Sequence, residues 1–244
     1  MTGLPGLALA GMLVLALAQG HPARAAEPAD LTIEAEVSPP ESFEVDGRMG
    51  GITGEMLTRA LARAHVTATI APVPWQRAYG DALANAATCA YPTSVTPERL
   101  PLFKWASPLG QNDWALIGTT EAGIKLDSLE QAKRYRIGVY QGDARQSFFE
   151  AAGGYQVETV NSNELNLTRL EAGRIDLWAA SLYTVWFERQ RGVGNLRVVL
   201  TFRTVDLGLA CNKSVPDETM ARLNRAIQSL IADGTAAVIE APYR

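Results

Sequence analysis

Residues 91–99 read Tyr91-Pro92-Thr93-Ser94-Val95-Thr96-Pro97-Glu98-Arg99. The apolar and hydroxyl-bearing residues at the start of this stretch predict the end of a β-strand, and the second proline predicts a turn after it. The turn presents one arginine, whose planar guanidinium group suits a carboxylate through two parallel charge-assisted hydrogen bonds. The stretch predicts a strand and turn that end in an anion-binding side chain. The alternative is an arginine on an ordinary surface turn.

Strand-like and helix-like segments alternate on both sides of this stretch. In a first round, strands are predicted at 31–35, at 67–73 and around Cys89, with helices at 54–64 and 75–83. In a second round, strands are predicted at 135–140, 155–160 and 175–179, with helices at 143–149, 164–172 and 182–189. Two such rounds predict an α/β protein of two lobes, each with a mostly parallel sheet.

Two extended apolar segments, 112–119 and 205–212, join the rounds and predict a hinge of two strands. A last helix follows, with Ser214 as its predicted N-cap, Pro216 in its first turn and Gly234 after its end. We therefore expect a first lobe of residues 26–118 plus 205–244 and a second lobe of residues 119–204.

The first 25 residues have the pattern of a secretory signal peptide. An apolar run from Leu7 to Ala18 is too short to span a bilayer, and Ala23-Arg24-Ala25 supplies the small residues of a cleavage site. No Lys or Arg precedes the apolar run, which departs from the usual pattern. The prediction is cleavage near Ala25 and export to the periplasm.

The composition excludes several classes of function. The chain has a formal net charge of −4 and no basic run, so we expect no nucleic-acid partner. Only His65 remains after the predicted cleavage site, and the sequence has no zinc, phosphate-loop or serine-nucleophile motif. We therefore expect no metal, no cofactor and no enzymatic activity of those kinds.

Residues Ser94, Thr96 and Arg99 resemble the S-x-T-x-x-R run of bacterial periplasmic solute-binding proteins of family 3, the substrate-binding proteins of polar amino acid ABC transporters. The lobe order of residues 28–244 is similar as well. The resemblance implies a type II periplasmic-binding-protein fold that closes on its ligand by a hinge motion. It also implies a monomer that captures a small polar ligand, an amino acid or related carboxylate, for an inner-membrane ABC permease.

By this resemblance, four residues of the first lobe contact the ligand. Arg99 grips its carboxylate, Trp75 stacks on it, and Tyr91 and Ser94 donate hydroxyl groups. The alternatives are that Trp75 is a core residue at the start of a helix, and that Tyr91 and Ser94 only pack or cap.

The second lobe is expected to contribute Asp143, Ser181 and Tyr183. Gln141-Gly142-Asp143 resembles the family's turn of glycine and a hydroxyl residue, but here an aspartate either caps its own helix or meets a cationic group. The family's amine-binding aspartate is expected five positions after Asp176, where this chain has Ser181. The sequence therefore leaves open whether the ligand carries an amine, for which Asp143, Glu36 or Glu41 could substitute.

Cys89 and Cys211 lie in two predicted strands that are neighbours in the resembling fold. In an exported chain a disulfide between them is expected, and it would contribute about 4–5 kcal/mol by closing a long loop. The alternative is two buried thiols.

Two other functions share this scaffold. One is an enzyme like the cyclohexadienyl dehydratases, for which Glu36, Glu41 and Asp143 are candidate acids. The other is an orphan or sensory binding protein that signals to a membrane partner.

Overall fold

The protein is described by a computed structural model over residues 30–243. It is an α/β protein built on one eight-stranded sheet with helices on both faces. The predicted signal peptide, residues 1–25, lies outside the described residues. No helix within residues 30–243 has the length and apolar character needed to cross a membrane.

The helices and strands follow the alternation that the sequence predicts. The strands are β1 Leu31–Ala35, β2 Phe43–Val45, β3 Arg48–Gly50, β4 Ala68–Pro72, β5 Thr88–Ser94, β6 Lys104–Thr119, β7 Arg136–Tyr140, β8 Gln156–Val160, β9 Leu177–Ser181 and β10 Leu196–Cys211. The helices are α1 Ile52–Ala64, α2 Trp75–Ala84, α3 Ala144–Ala152, α4 Asn163–Glu171, α5 Leu182–Gln190, α6 Asp217–Ala232 and α7 Thr235–Glu240.

The sheet has the strand order β4-β1-β5-β10-β6-β9-β7-β8. The strands at each end pair in parallel: β4, β1 and β5 on one side, and β9, β7 and β8 on the other. Between them lie the antiparallel strands β6 and β10, each 16 residues long. We call β4, β1, β5 and their helices the first lobe, and β9, β7, β8 and their helices the second lobe.

The two long strands form the connection between the lobes. Asn112 in β6 pairs with Val205 in β10, which brings the two predicted crossover segments side by side. The fold is thus the two-lobed, type II arrangement that the sequence predicts. The predicted boundaries at residues 119 and 205 fall inside or at the end of these continuous strands, and the exact division stays a prediction.

Each lobe has its own apolar core. In the first lobe, α1 and α6 pack on β1 and β5 through side chains such as Leu57, Leu223 and Ile33, all at most 1% exposed. In the second lobe, Ile137 and Leu177 of the sheet pack against Phe149 of α3. Separate cores allow each lobe to remain rigid while the long strands between them flex.

A disulfide joins Cys89 and Cys211 across β5 and β10, as predicted. The two residues are directly paired in the antiparallel ladder, so a bond between them requires no displacement of the strands. It ties the return strand β10 to the centre of the first lobe.

Some predicted details are wrong. Helix α6 begins at Asp217 with Pro216 at its N-cap position, whereas the hydroxyl of Ser214 accepts a hydrogen bond from the backbone N–H of Ala87. Strand β9 runs two residues further than predicted and ends at Ser181, whose hydroxyl caps α5. Local patterns place such boundaries poorly because tertiary contacts select among nearby caps.

Candidate functional site

A cavity of about 570 Å³ lies between the two lobes. The first lobe contributes residues 36–41, which follow β1, and residues 72–75, which follow β4. The second lobe contributes the ends of β7, β8 and β9, the first turn of α4, and residues along the length of α5 as far as Arg191. Ligands of open α/β sheets bind at this edge, where the carboxyl ends of parallel strands and the N-termini of helices converge.

One backbone carbonyl of the second lobe forms hydrogen bonds with the first lobe beside the cavity. The carbonyl oxygen of Gly142 accepts hydrogen bonds from Trp75 Nε1 at 2.9 Å and from Arg99 Nη2 at 3.1 Å, both from the first lobe. Gly142 has φ +77°, a conformation that a residue with a side chain rarely adopts. The glycine between β7 and α3 thus turns its carbonyl toward the first lobe.

Arg99 lies against this contact rather than on the wall of the cavity. Its guanidinium carbon is 5.2 Å from the ring centres of both Trp75 and Tyr79, and the residue is 7% exposed. Cation–π contact and the Gly142 carbonyl together satisfy much of the guanidinium group. In this structure the guanidinium group of Arg99, the predicted carboxylate clamp, interacts with groups of the protein itself.

A second arginine, which the sequence analysis did not single out, faces the cavity. Arg145 in the first turn of α3 binds Asp143 in a bidentate pair, with Nε to Oδ1 at 2.7 Å and Nη2 to Oδ2 at 2.6 Å. Asp143 also caps α3 by accepting from the Arg145 backbone N–H, so it fulfils both alternatives at once. Burial acts to raise the pKa of Asp143, but the charge and hydrogen bonds of Arg145 outweigh it and the pKa is lowered.

Two acids of the first lobe, Glu36 and Glu41, line the cavity. Burial and the neighbouring charge of Asp143 raise the pKa of Glu36 to about 8, against the opposing effect of Arg145. Burial also raises the pKa of Glu41, which a hydrogen bond with Ser181 partly offsets. Both carboxyl groups therefore hold a proton more readily than an exposed glutamate does, and their charge depends on what else occupies the cavity.

Four buried polar atoms on the wall have no hydrogen-bond partner within the described part of the chain. They are Arg145 Nη1, Trp178 Nε1, Glu41 Oε1 and Asn112 Oδ1. Buried polar groups in native proteins are normally paired, and an unpaired one costs roughly 1–3 kcal/mol. Two donors and two acceptors without partners, all on residues that line one cavity, indicate a site for a polar ligand.

The other predicted contact residues lie in different places. Ser181 and Trp75 are on the cavity wall. The Tyr91 hydroxyl is fully buried in the first lobe, 2.7 Å from the Thr53 hydroxyl, and Ser94 ends β5 opposite Leu207. Neither of these two lines the cavity.

Tyr183 faces away from the cavity, toward the C-terminal segment. Its hydroxyl donates to Glu240 Oε1 at 2.6 Å, and the residue lines a second space between α5 and that segment. The predicted set is thus divided: Trp75 and Ser181 meet at the cavity, Arg99 and Asp143 adjoin it through Gly142 and Arg145, and the rest do not reach it.

The chain belongs to the bacterial extracellular solute-binding proteins, family 3, whose model matches residues 31–244. This agrees with the resemblance of the arginine loop and the lobe order.

Solved structures share the fold at low identity. A histidine kinase sensor domain with similarity to periplasmic binding proteins has a TM-score of 0.77 at 16% identity, over 87% of this chain and 95% of that one. An amino acid ABC transporter substrate-binding protein from Streptococcus pneumoniae, bound to L-arginine, has a TM-score of 0.74 at 17% identity, over 87% and 93%. An ancestral amino-acid-binding precursor of cyclohexadienyl dehydratase has a TM-score of 0.73 at 17% identity, over 87% and 94%.

Proposed function

We infer that the protein is a periplasmic binding protein that captures a small polar solute of the amino acid type in the cavity between its lobes and presents it to an inner-membrane ABC permease. The observation that carries this function is that four of the residues lining that cavity each hold a buried polar atom without a hydrogen-bond partner in the described part of the chain. A ligand that pairs them removes several unfavourable interactions when the lobes close, which favours the closed form.

Relatives support the class of ligand. The Streptococcus pneumoniae structure and an ancestral binding protein of the same fold are both bound to arginine. A cavity of about 570 Å³ is of a size that holds a solute of this kind. A few charge-assisted hydrogen bonds of roughly 1.5–3 kcal/mol each account for micromolar affinity.

In this proposal Arg99 and Trp75 act on the closing of the lobes. Their shared acceptor, the Gly142 carbonyl, lies on the opposite lobe, so both hydrogen bonds exist only when the lobes approach. Ligand contacts and these interlobe bonds then stabilise the same closed state.

A thermal-shift screen of the mature protein against amino acids, organic acids and polyamines tests the function. We expect at least one solute to raise the melting temperature. The variant Asn112→Leu removes an unpaired cavity acceptor at nearly constant volume and is expected to abolish that rise. Gln111→Leu is the matched control, because Gln111 is adjacent in β6 but lines the second space instead. A rise that survives Asn112→Leu would place the ligand elsewhere.

Catalysis is a second candidate, supported by one observation. With its pKa raised to about 8, Glu36 is largely protonated at neutral pH and lies in the cavity as a potential general acid. Turnover of prephenate or arogenate, lost in Glu36→Gln, would establish a dehydratase-like enzyme. Binding without turnover supports the solute-binding function.

Transport and sensing share the same capture step. The neighbouring genes separate them: an adjacent permease and ATPase support transport, and an adjacent membrane kinase supports sensing.

A further inference from the structure

The arginines at the cavity already have partners: Arg191 on its wall pairs with Glu188, and Arg99 and Arg145 are also engaged. Arg99 donates to the Gly142 carbonyl and stacks on two rings, and Arg145 presents its bidentate face to Asp143. A ligand carboxylate seeking a two-point clamp would have to displace one of these partners. Arg145 Nη1 is buried without a hydrogen-bond partner in residues 30–243, so this arginine leaves at most a single donor for a ligand.

The acidic residues on the cavity wall differ in whether they form a salt bridge. Glu188 pairs with Arg191 at 3.3 Å. Glu36 and Glu41 form no ion pair with any other residue of the described range 30–243, and Glu41 is 3% exposed with its Oε1 unpartnered. Glu36 and Glu41 are thus two neighbouring carboxyl groups on the cavity wall that form no salt bridge within the described residues.

Glu41 occupies the space where the second lobe lacks an acid. Ser181 stands at the end of β9, where the resemblance predicts an amine-binding aspartate. The Ser181 side chain acts to lower the pKa of Glu41, which places this glutamate of the first lobe near the serine. A carboxyl group of the first lobe therefore lies near the position where the second lobe has none.

The rest of the wall also suits a positive charge. Rings of Trp75, Tyr140, Trp178 and Phe187 line the cavity, and aromatic faces attract organic cations. The unpartnered Oδ1 of Asn112 is a further acceptor on the same wall.

We propose that the cavity binds a small organic cation whose charged group lies at Glu36 and Glu41, and that a carboxylate on the ligand is not required. This rests on the solute-binding function proposed above and specifies its ligand class.

Proton release accompanies binding in this arrangement. Glu36 is surrounded by Asp143, Arg145, Glu41 and Arg99, with Tyr140 nearby, and Glu41 also lies near Arg145 and Tyr91. Because burial raises the pKa of both carboxyl groups, a bound cation displaces a proton from at least one of them. Affinity then rises roughly tenfold per pH unit up to about pH 8, the pKa of Glu36.

Isothermal titration of the mature protein with three probes tests the proposal. Agmatine and L-arginine differ only in the carboxylate, and glutarate is an anion without a cationic group. The cationic groups of agmatine stay charged from pH 6 to pH 8, so the pH dependence reports on the protein. We expect agmatine to bind at least as tightly as arginine, glutarate not to bind, and proton release to appear on comparing buffers of different ionisation enthalpy.

Two near-isosteric variants, Glu36→Gln and Glu41→Gln, are expected to weaken agmatine binding tenfold or more while the protein stays folded. Glu44→Gln, an exposed acid of β2 three residues from Glu41, is the matched control and should bind as the wild type does. Circular dichroism and the melting temperature verify folding of each variant.

Three outcomes overturn the cation assignment: arginine binding at least tenfold tighter than agmatine, glutarate binding in place of the cations, or unchanged agmatine binding in both glutamine variants. If another solute of the thermal-shift screen binds while all three probes fail, the assignment falls and the solute-binding function stands. A screen in which no solute stabilises the protein counts against the solute-binding function itself.

Discussion

Arg99 and Arg145, which both adjoin the cavity, differ in their interaction partners. Arg99 belongs to a recognisable sequence run, yet its guanidinium group contacts a backbone carbonyl of the other lobe and two aromatic rings. Arg145 belongs to no such run, yet it lines the cavity in a bidentate pair with Asp143. A sequence motif therefore identifies a side chain capable of binding an anion, whereas the position of the second lobe determines which group that side chain binds.

Removal of the Arg145 side chain should have the largest effect on stability. In Arg145→Met the Asp143 carboxylate keeps its charge in a mostly buried position, and breaking such a pair costs about 4 kcal/mol. Urea denaturation measures this loss. The double variant Asp143→Asn with Arg145→Met should recover more than half of it, because an asparagine side chain at this position still caps α3 but buries no charge. A loss below about 1 kcal/mol in the single variant would mean that the pair is solvated.

Measuring the free energy of unfolding of Glu36→Gln at several pH values tests whether the pKa of Glu36 is raised in the folded protein, against the opposing charges of Arg99 and Arg145. The pKa of Glu36 in the folded state is raised to about 8, so the folded protein binds a proton here more tightly than the unfolded chain does. The stabilisation that this proton gives is fully present below the unfolded-state pKa near 4.5, and it is lost as the pH rises toward 8. We expect Glu36→Gln to be more stable than the wild type by on the order of 4 kcal/mol at pH 8, and by almost nothing at pH 4.5. Equal stability curves across this range would show that Glu36 titrates normally.

Replacement of Arg99 should affect closure more than selectivity. Arg99→Met removes a charge-assisted hydrogen bond to Gly142 and two cation–π contacts, which together contribute about 2 kcal/mol to the closed form. We expect weaker affinity for every ligand by a similar factor, and a larger radius of gyration by X-ray scattering in the presence of ligand. Selective loss of carboxylate ligands alone would restore Arg99 to the role of a ligand clamp.

The smallest effect is expected from Trp75→Phe. This change keeps an aromatic ring beside Arg99 but removes the Nε1 donor to the Gly142 carbonyl, worth about 1 kcal/mol. Affinity should fall roughly fivefold, again without a change in ligand preference. Trp105→Phe is a suitable control, since Trp105 also donates to a backbone carbonyl, that of Leu100, but outside the cleft.

Much of the fold was predictable because its signals are local. Alternating apolar periods located most helices and strands of both lobes. The disulfide was predicted in another way, from the resemblance to a family in which the strands of Cys89 and Cys211 are neighbours. Boundaries that depend on tertiary contacts were missed: Ser214 bonds to Ala87 instead of capping α6, and β9 extends to Ser181.

The candidate site was predicted less completely. Trp75 and Ser181 were placed near the ligand, and they line the cavity. Arg145 was missed although one signal was present, since it opens the helix directly after the Gly142-Asp143 turn at the end of β7. Its importance depends on the pairing with Asp143 and on Glu36 and Glu41 from the other lobe, and no local pattern reports such pairing.

The family, the two-lobed α/β plan and the edge of the sheet at which the cavity lies could be predicted from the amino-acid sequence, because periodicity and turn chemistry act over short stretches of chain. Only the tertiary structure decided which charges face the cavity. The Gly142 carbonyl contacts Trp75 and Arg99, and Glu41 comes near Ser181, only where the two lobes approach each other. Electrostatic partners of this kind lie far apart in sequence, and distance in space governs their interaction.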